Sequence, residues 1–224
     1  MSYLGGVSVI VPLLNEEVMA PQLIEQLAAL DAEQVIIVDG GSTDSTCHLM
    51  QSAGYQVVQS VAGRAQQMNA GAQHATQSIL LFLHADTQLP PSYKSEIAKA
   101  KAWGRFDVSF SSQSKAMSVV AFFMNLRSRV SGVATGDQGI FVDKDVFSAI
   151  GGFPELPLME DVALCKRLRQ IHRPFNSNMK VVTSARRWQQ NGIFKTVVTM
   201  WWYRLGYFLG MSPMRFKKGY EDVR

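Results

Sequence analysis

Four acidic residues stand where apolar runs of the chain break: Glu16, Asp39, Asp86 and Asp161. Asp86 lies in the stretch SILLFLHADT at 78–87, where apolar residues 79–83 give way to His84-Ala85-Asp86 ahead of Pro90-Pro91. In an extended chain alternate residues share a side, so His84 and Asp86 are expected to face one space. Hard divalent cations such as Mg²⁺ take carboxylate and phosphate oxygens, often with only one or two protein carboxylates. Asp86 is therefore a reasonable single-carboxylate anchor for such an ion. Taken singly, each of the four acids is an ordinary cap or turn residue. Their recurrence at segment ends is the informative pattern.

The elements that must position these residues follow from the apolar spacing. A short apolar run bounded by breakers, as at 79–83, suits a central strand buried on both faces. Ligands of open parallel α/β sheets bind beyond the carboxyl ends of such strands. Upstream, residues 7–12 read as a strand closed by Pro12, and Asn15 reads as the N-cap of a helix running to about Leu30, with Glu16 and Glu17 in its first turn. Strand 34–38 ends at Asp39, a Gly-Gly-Ser turn enters a helix, and strand 57–59 precedes a helix over 63–75. Strands alternating with helices predict a Rossmann-like, mostly parallel sheet flanked by helices. Neither G-x-G-x-x-G nor a Walker A sequence occurs, so a pyrophosphate cradle of those kinds is not encoded. Further on, the pattern predicts a helix from Pro91 to about Trp103, a strand at 106–110, a helix at 117–126 and a strand at 140–142. A helix opened by Glu160-Asp161 and a last strand at 181–183 complete the first 190 residues.

The segments 9–17 (VIVPLLNEE), 38–46 (VDGGSTDST) and Asn69-Ala70-Gly71, with Leu83-His84-Ala85-Asp86, Glu160-Asp161 and Arg187-Trp188, resemble in order the motifs of the family 2 inverting glycosyltransferases of GT-A fold. The Gly136-Asp137-Gln138-Gly139 and Arg186-Arg187-Trp188 segments are further similar to a compact bacterial subgroup described as carotenoid- or lipid-modifying. The resemblance implies transfer of a sugar from a UDP- or GDP-sugar to an acceptor hydroxyl with inversion, a lipid or carotenoid-like acceptor being one class. It implies that Pro12, Glu16 and Asp39 line the nucleotide pocket, with Asp39 on the base edge. It makes Asp86 the ligand of Mn²⁺ or Mg²⁺ on the diphosphate, Asp161 the general base, and Arg64 and Arg187 the phosphate contacts. In two places the chain departs from the family. His84, a nucleotide-sugar-binding candidate, replaces the first Asp of D-x-D, which in the family often faces the ribose or metal-bound water, and it brings no negative charge in its neutral form. Leu14 stands where some relatives carry an aromatic residue against the base.

Charge divides the chain. Of its 22 basic residues, 13 fall between Lys166 and Arg224, against two acids, Glu221 and Asp222. Such a tail suits an anionic partner. Segment 192–212 (GIFKTVVTMWWYRLGYFLGMS) is apolar almost all round a helix, with Trp201-Trp202-Tyr203 and the basic Arg215, Lys217 and Lys218 beyond it. A GT-A domain over 1–190 and a helical apolar/basic extension over 191–224 are expected, the extension meeting either a membrane surface or a second copy of the chain. The opening residues carry no basic secretory n-region, and Cys47 and Cys165 form no metal or CxxC spacing, so a cytoplasmic chain, peripheral at the inner membrane face, is expected. Two other readings compete. A sugar nucleotidyltransferase needs a glycine-rich basic loop after the first strand, where 12–17 is acidic. A degenerate nucleotide-sugar-binding protein fits poorly with both Asp86 and Asp161 in place. No nucleic-acid partner is expected, because the aromatics of the tail are clustered in an apolar run.

Overall fold

The computed structural model describes residues 5–212 and 214, with the side chain of Arg187 excepted. Its elements are β1 Val7–Leu13, α1 Ala20–Ala28, β2 Gln34–Asp39, α2 Thr46–Ser52, β3 Gln56–Gln59, α3 Arg64–His74, β4 Ile79–Phe82, β5 Thr87–Gln88 and α4 Tyr93–Ile97. They continue with β6 Trp103–Phe110, α5 Lys115–Ser131, the 3₁₀ turn Gly136–Gln138, β7 Ile140–Asp143, α6 Lys144–Ala149, α7 Glu160–Ile171, β8 Phe175–Thr183, α8 Arg186–Asn191 and α9 Ile193–Phe208. The strands form one sheet in the order β3-β2-β1-β4-β7-β6-β8-β5.

The first four strands are parallel, as the alternation of strands and helices requires. The sheet then becomes mixed, because β7 runs antiparallel to both β4 and β6, and β5 antiparallel to β8. Side chains alternate across the sheet. Val9, Val11, Ile37 and Leu81 pack on one face, while Ile10, Ile36, Val38, Leu80 and Phe82 pack on the other. Helix α3 lies on the second face through Ala65, Met68 and Ala72. The Asn69-Ala70-Gly71 motif has a packing reason here: a Cβ on Gly71 would come within 2.4 Å of Ile10 Cγ2. Asn69 exchanges two hydrogen bonds with the backbone of Phe153, each 2.9 Å, tying α3 to the loop ahead of α7.

Strand β6 pairs with β7 only at Trp103 and Gly104, and then the two diverge. Asn125 of α5 fills the seam: its Oδ1 accepts from Val108 N at 2.8 Å and its Nδ2 donates to Val108 O at 3.0 Å. Beneath it the buried Arg105 pairs with Asp107, which also accepts from Arg129 at 2.7 Å.

Several boundaries differ from the sequence pattern. Asn15 does not cap a helix; it sits at φ 53°, and α1 starts five residues later beside Pro21. The expected helix from Pro91 to Trp103 is the short α4, because Trp103 is drawn into the sheet, buried, with Nε1 donating to His172 O at 2.8 Å. Tertiary burial of one large side chain outweighs the helix propensity of the Ala/Lys run before it. His84 and Asp86 are not on an extended strand but on a turn closed by Thr87 N to His84 O at 3.0 Å. β5 has no apolar signature, and β8 begins six residues before its expected start. Both cysteines are free, with Cys165 buried.

Asn125→Ala would leave the buried amide and carbonyl of Val108 without their partners. It is expected to lower the unfolding free energy by about 2–4 kcal/mol, read from the urea midpoint at unchanged slope. An unshifted midpoint would mean that water satisfies the seam.

Candidate active site

The cleft beyond the carboxyl ends of β1, β2 and β4 is built from two groups of residues. In the first, the loops after β1 and β2 are stitched together. Asn15 N donates to Ser42 Oγ at 2.8 Å, and Asn15 Oδ1 accepts from Thr43 N at 2.9 Å. Glu16 N donates to Thr46 Oγ1 at 2.8 Å, and Glu17 and Ser45 exchange further bonds with this seam. Buried Asp39 organises the second loop by accepting from Gly41 N at 2.9 Å and Ser42 N at 3.0 Å, and from the Ser42 hydroxyl. Burial pushes the Asp39 pKa up, but the Ser42 hydroxyl and these amides outweigh it and hold the carboxyl below its usual range. Gln67 of α3 fixes the base of the seam, its Nε2 donating to Leu13 O at 2.7 Å and Val38 O at 2.8 Å. Pro12 is half-buried in β1 below this loop pair.

The second group gathers around Asp161. Antiparallel pairing of β4 with β7 sets the turn after β4 against Gly136–Gln138. His84 is buried, with Nδ1 3.2 Å from Asp137 Oδ1. Its ring lies so close to Gly136 that a Cβ there would fall 2.2 Å from His84 Nε2. Asp161 Oδ2 accepts from Gly136 N at 3.0 Å, and its Oδ1 from Val162 N at 2.7 Å. The helix start is held by Met159 in a left-handed conformation at φ 67°, a strained position for a residue with a long side chain. Next to Asp161, Glu160 is buried. Burial first, and then the Asp161 charge, push the Glu160 pKa above the ordinary carboxyl range, with Arg64 and His84 partly offsetting them.

The structure thus brings together Asp161, His84 and Arg64 through Glu160, and separately Glu16 and Asp39. Asp86 is exposed at the turn after β4, with Oδ1 accepting from the Thr87 hydroxyl at 3.3 Å and its carbonyl accepting from Ser184 N at 3.2 Å. The side chain of Arg187 lies outside the described residues. Among the described residues no group of three or more His, Cys, Asp or Glu could cage a metal. The donor set fits an ion held by one exposed carboxylate and by a ligand's phosphates. Arg127, near the end of α5, interacts with Asp161 and Asp137. Nothing in its spacing marks it in the sequence.

A mixed sheet with carboxylates at the carboxyl ends of its parallel strands defines a GT-A-type α/β domain. Residues 8–153 match the family described as glycosyl transferase family 2. The chain belongs to that family. Among curated relatives, an undecaprenyl-phosphate 4-deoxy-4-formamido-L-arabinose transferase of Salmonella paratyphi A is 30% identical over 115 residues, covering 46% of this chain and 35% of that protein. The chain therefore spans about a third of the length of the curated relatives it matches. The fold is similar to a Pyrobaculum calidifontis mannosyltransferase in complex with GDP-mannose and Mn²⁺, with TM-score 0.65, 18% identity, and 80% of this chain and 57% of that one covered. It is also similar to the Mycobacterium tuberculosis glucosyl-3-phosphoglycerate synthase with Mn²⁺, UDP and its product, with TM-score 0.58, 15% identity, and 80% and 70% covered.

A carboxyl whose pKa the fold raises adds stability below its unfolded pKa, and that contribution is lost as pH rises through the folded pKa. Glu160→Gln fixes the neutral form. The variant should match wild type in thermal midpoint near about pH 4 and exceed it by about pH 8. A gap that narrowed with rising pH would give Glu160 an ionised role instead.

Proposed function

We propose that the chain transfers a sugar, with inversion, from a UDP- or GDP-sugar to an acceptor hydroxyl, assisted by Mn²⁺ or Mg²⁺. The observation that carries this reading is the convergence of Asp161, Asp137 and His84 where β4 gives way to its turn, in a family 2 domain. Pro12, Glu16 and Asp39 form the nucleotide pocket, and the hydrogen bonds within the loops prepare it before the ligand arrives. Arg64 and Arg187 contact phosphate. Asp86 holds the metal, which when bound neutralises charge developing on the departing diphosphate. His84 acts through Asp137 and the 136–138 turn, and so shapes the site beside the metal. Asp161 takes the proton from the attacking hydroxyl; the amides of Gly136 and Val162 fix its orientation and leave lone pairs for the acceptor. The nucleotides held by the two structural neighbours support a UDP- or GDP-linked donor.

Calorimetry with UDP and GDP, with and without Mn²⁺, tests the donor half. Asp86→Ala should abolish metal-dependent binding, while His84→Ala lowers it roughly 10-fold, the scale of an outer-sphere partner. Equal effects would remove the metal from Asp86. In the same preparations Asp161→Asn should keep donor binding yet lower turnover about 10²–10⁴-fold. Near-normal turnover would move the base to another carboxylate.

The acceptor reading extends to lipid. Phe122 and Val130 on α5, with Phe194, Trp201, Trp202 and Phe208 on α9, are exposed apolar side chains. Among the described residues no helix is long and apolar enough to cross a membrane. Exposed tryptophans on a helix bearing the exposed Lys195 support peripheral contact with an acidic bilayer over self-association through 192–212. The basic residues expected to assist at 215, 217 and 218 lie outside the described residues. Flotation with acidic vesicles at low salt should carry wild type upward and leave Trp201→Ser/Trp202→Ser at the bottom. Wild type that stays at the bottom, and is dimeric, would assign α9 to a second copy.

A further inference from the structure

Between β6 and α5 lies a groove that the function proposed above does not use. Its volume is about 390 Å³, and it runs from Asp107 to Ser112 along the strand and from Arg129 back to Met117 along the helix. Five residues of extended chain make it about 16 Å long, so its mean cross-section is about 24 Å², the width of one unbranched hydrocarbon chain.

Most of the groove is apolar. Met117 and Ala121 line it as buried residues, while Phe122 and Leu126 line it with 61% and 43% of their surfaces exposed. Exposed apolar side chains beside a cavity are what an apolar ligand covers. One end differs. There Asp107, Arg129 and Lys180 come together, with Lys180 opposite Asp107 in the pairing of β6 with β8. Asp107 is committed to Arg105 and Arg129, and Arg129 also donates to Asn178 Oδ1 at 2.7 Å. Lys180 is exposed, and among the described residues its ammonium forms no ion pair or hydrogen bond. It is the cation left to meet a ligand, and a compact single charge with three rotatable donors suits one carboxylate.

We infer that this groove binds a single unbranched apolar chain ending in a carboxylate, with the carboxylate on Lys180 and the chain along Phe122 and Leu126. The other end of the chain then lies by Ser112, beyond the carboxyl end of β6. Strands β4 and β6 are each antiparallel to β7 and so run the same way, which makes this the edge of the sheet that carries the His84 turn. A hydroxyl at the far end of the acid reaches the edge where the base stands, so the acceptor is a hydroxylated acid. That last step rests on the function proposed above; the binding of the acid does not.

Titration of the full chain without donor or metal, using dodecanoate, dodecanol and dodecylamine below their micelle-forming concentrations, tests the groove. Dodecanoate should bind, dodecanol roughly 10-fold more weakly, and dodecylamine not at all. Lys180→Met should bring dodecanoate to the affinity of dodecanol, and Ala121→Phe, which fills the groove, should abolish the binding of both. Trp201→Ser/Trp202→Ser, which alters the exposed face of α9, should bind as wild type does. The inference is overturned if dodecanoate does not bind, if Lys180→Met or Ala121→Phe binds it within about twofold of wild type, or if the tryptophan variant loses it. A dimeric wild type that Phe122→Ser makes monomeric would give the groove to a second copy instead. 12-Hydroxydodecanoate should bind together with UDP or GDP and Mn²⁺, and mutual displacement would remove it as the acceptor. Absence of donor binding in separate titrations would overturn the transferase reading and leave the groove result standing.

Discussion

The antiparallel register of β4 against β7, in which Phe82 faces Ile140, is the constraint on which the site depends. Both strands stop near this pair, so the chain leaving β4 and the chain entering β7 turn off side by side. His84 thereby meets Asp137 and Gly136, although more than fifty residues separate them in sequence. The same turn presents the amide that Asp161 accepts from at the start of α7. A slip of one residue would carry every side chain of β4 to the other face of the sheet and bury Leu81 where Phe82 now packs. Register here is held by two dry faces, because Leu80, Leu81 and Phe82 are all buried.

Where backbone ladders run out, side-chain amides take over. Gln67 closes the ends of β1 and β2, Asn125 closes the seam where β6 leaves β7, and Asn69 holds the 152–153 turn to α3. Asn69 and Asn125 each offer the donor and acceptor of a peptide unit, and Gln67 donates to two carbonyls at once. This allows the sheet to open into a cleft without leaving buried polar groups unmet. The hydroxyls and carboxylates of the 42–46 loop do the same for the 15–17 loop, so this pair of loops is held for the same reason as the sheet.

Much of this arrangement was readable from the residues. The apolar runs at 7–12, 34–38 and 79–83 are the parallel core, with Asp39 ending β2 and Glu16 and Asp86 in the loops after β1 and β4. The family resemblance agrees with the family match over 8–153. What was not readable depended on partners distant in sequence. Thr87–Gln88 is a strand because Val182 and Thr183 lie beside it, and Trp103 is a strand residue because it is buried against His172. Asn15 has the composition of a helix cap, but Thr43 competes for its side chain and wins. Arg127 looks in sequence like any basic residue on a helix, since only the fold reveals that its donors are enclosed.

The contact of the His84 ring with Gly136 links two positions that the motif treats as independent. An imidazole fits at 84 only while 136 has no side chain, and an aspartate at 84, being shorter, would release that demand. With aspartate at 84 this turn would have room for alanine or serine, whereas the histidine here demands glycine. An aspartate grafted at 84 would leave a small void beside the 136–138 turn unless the turn were altered with it.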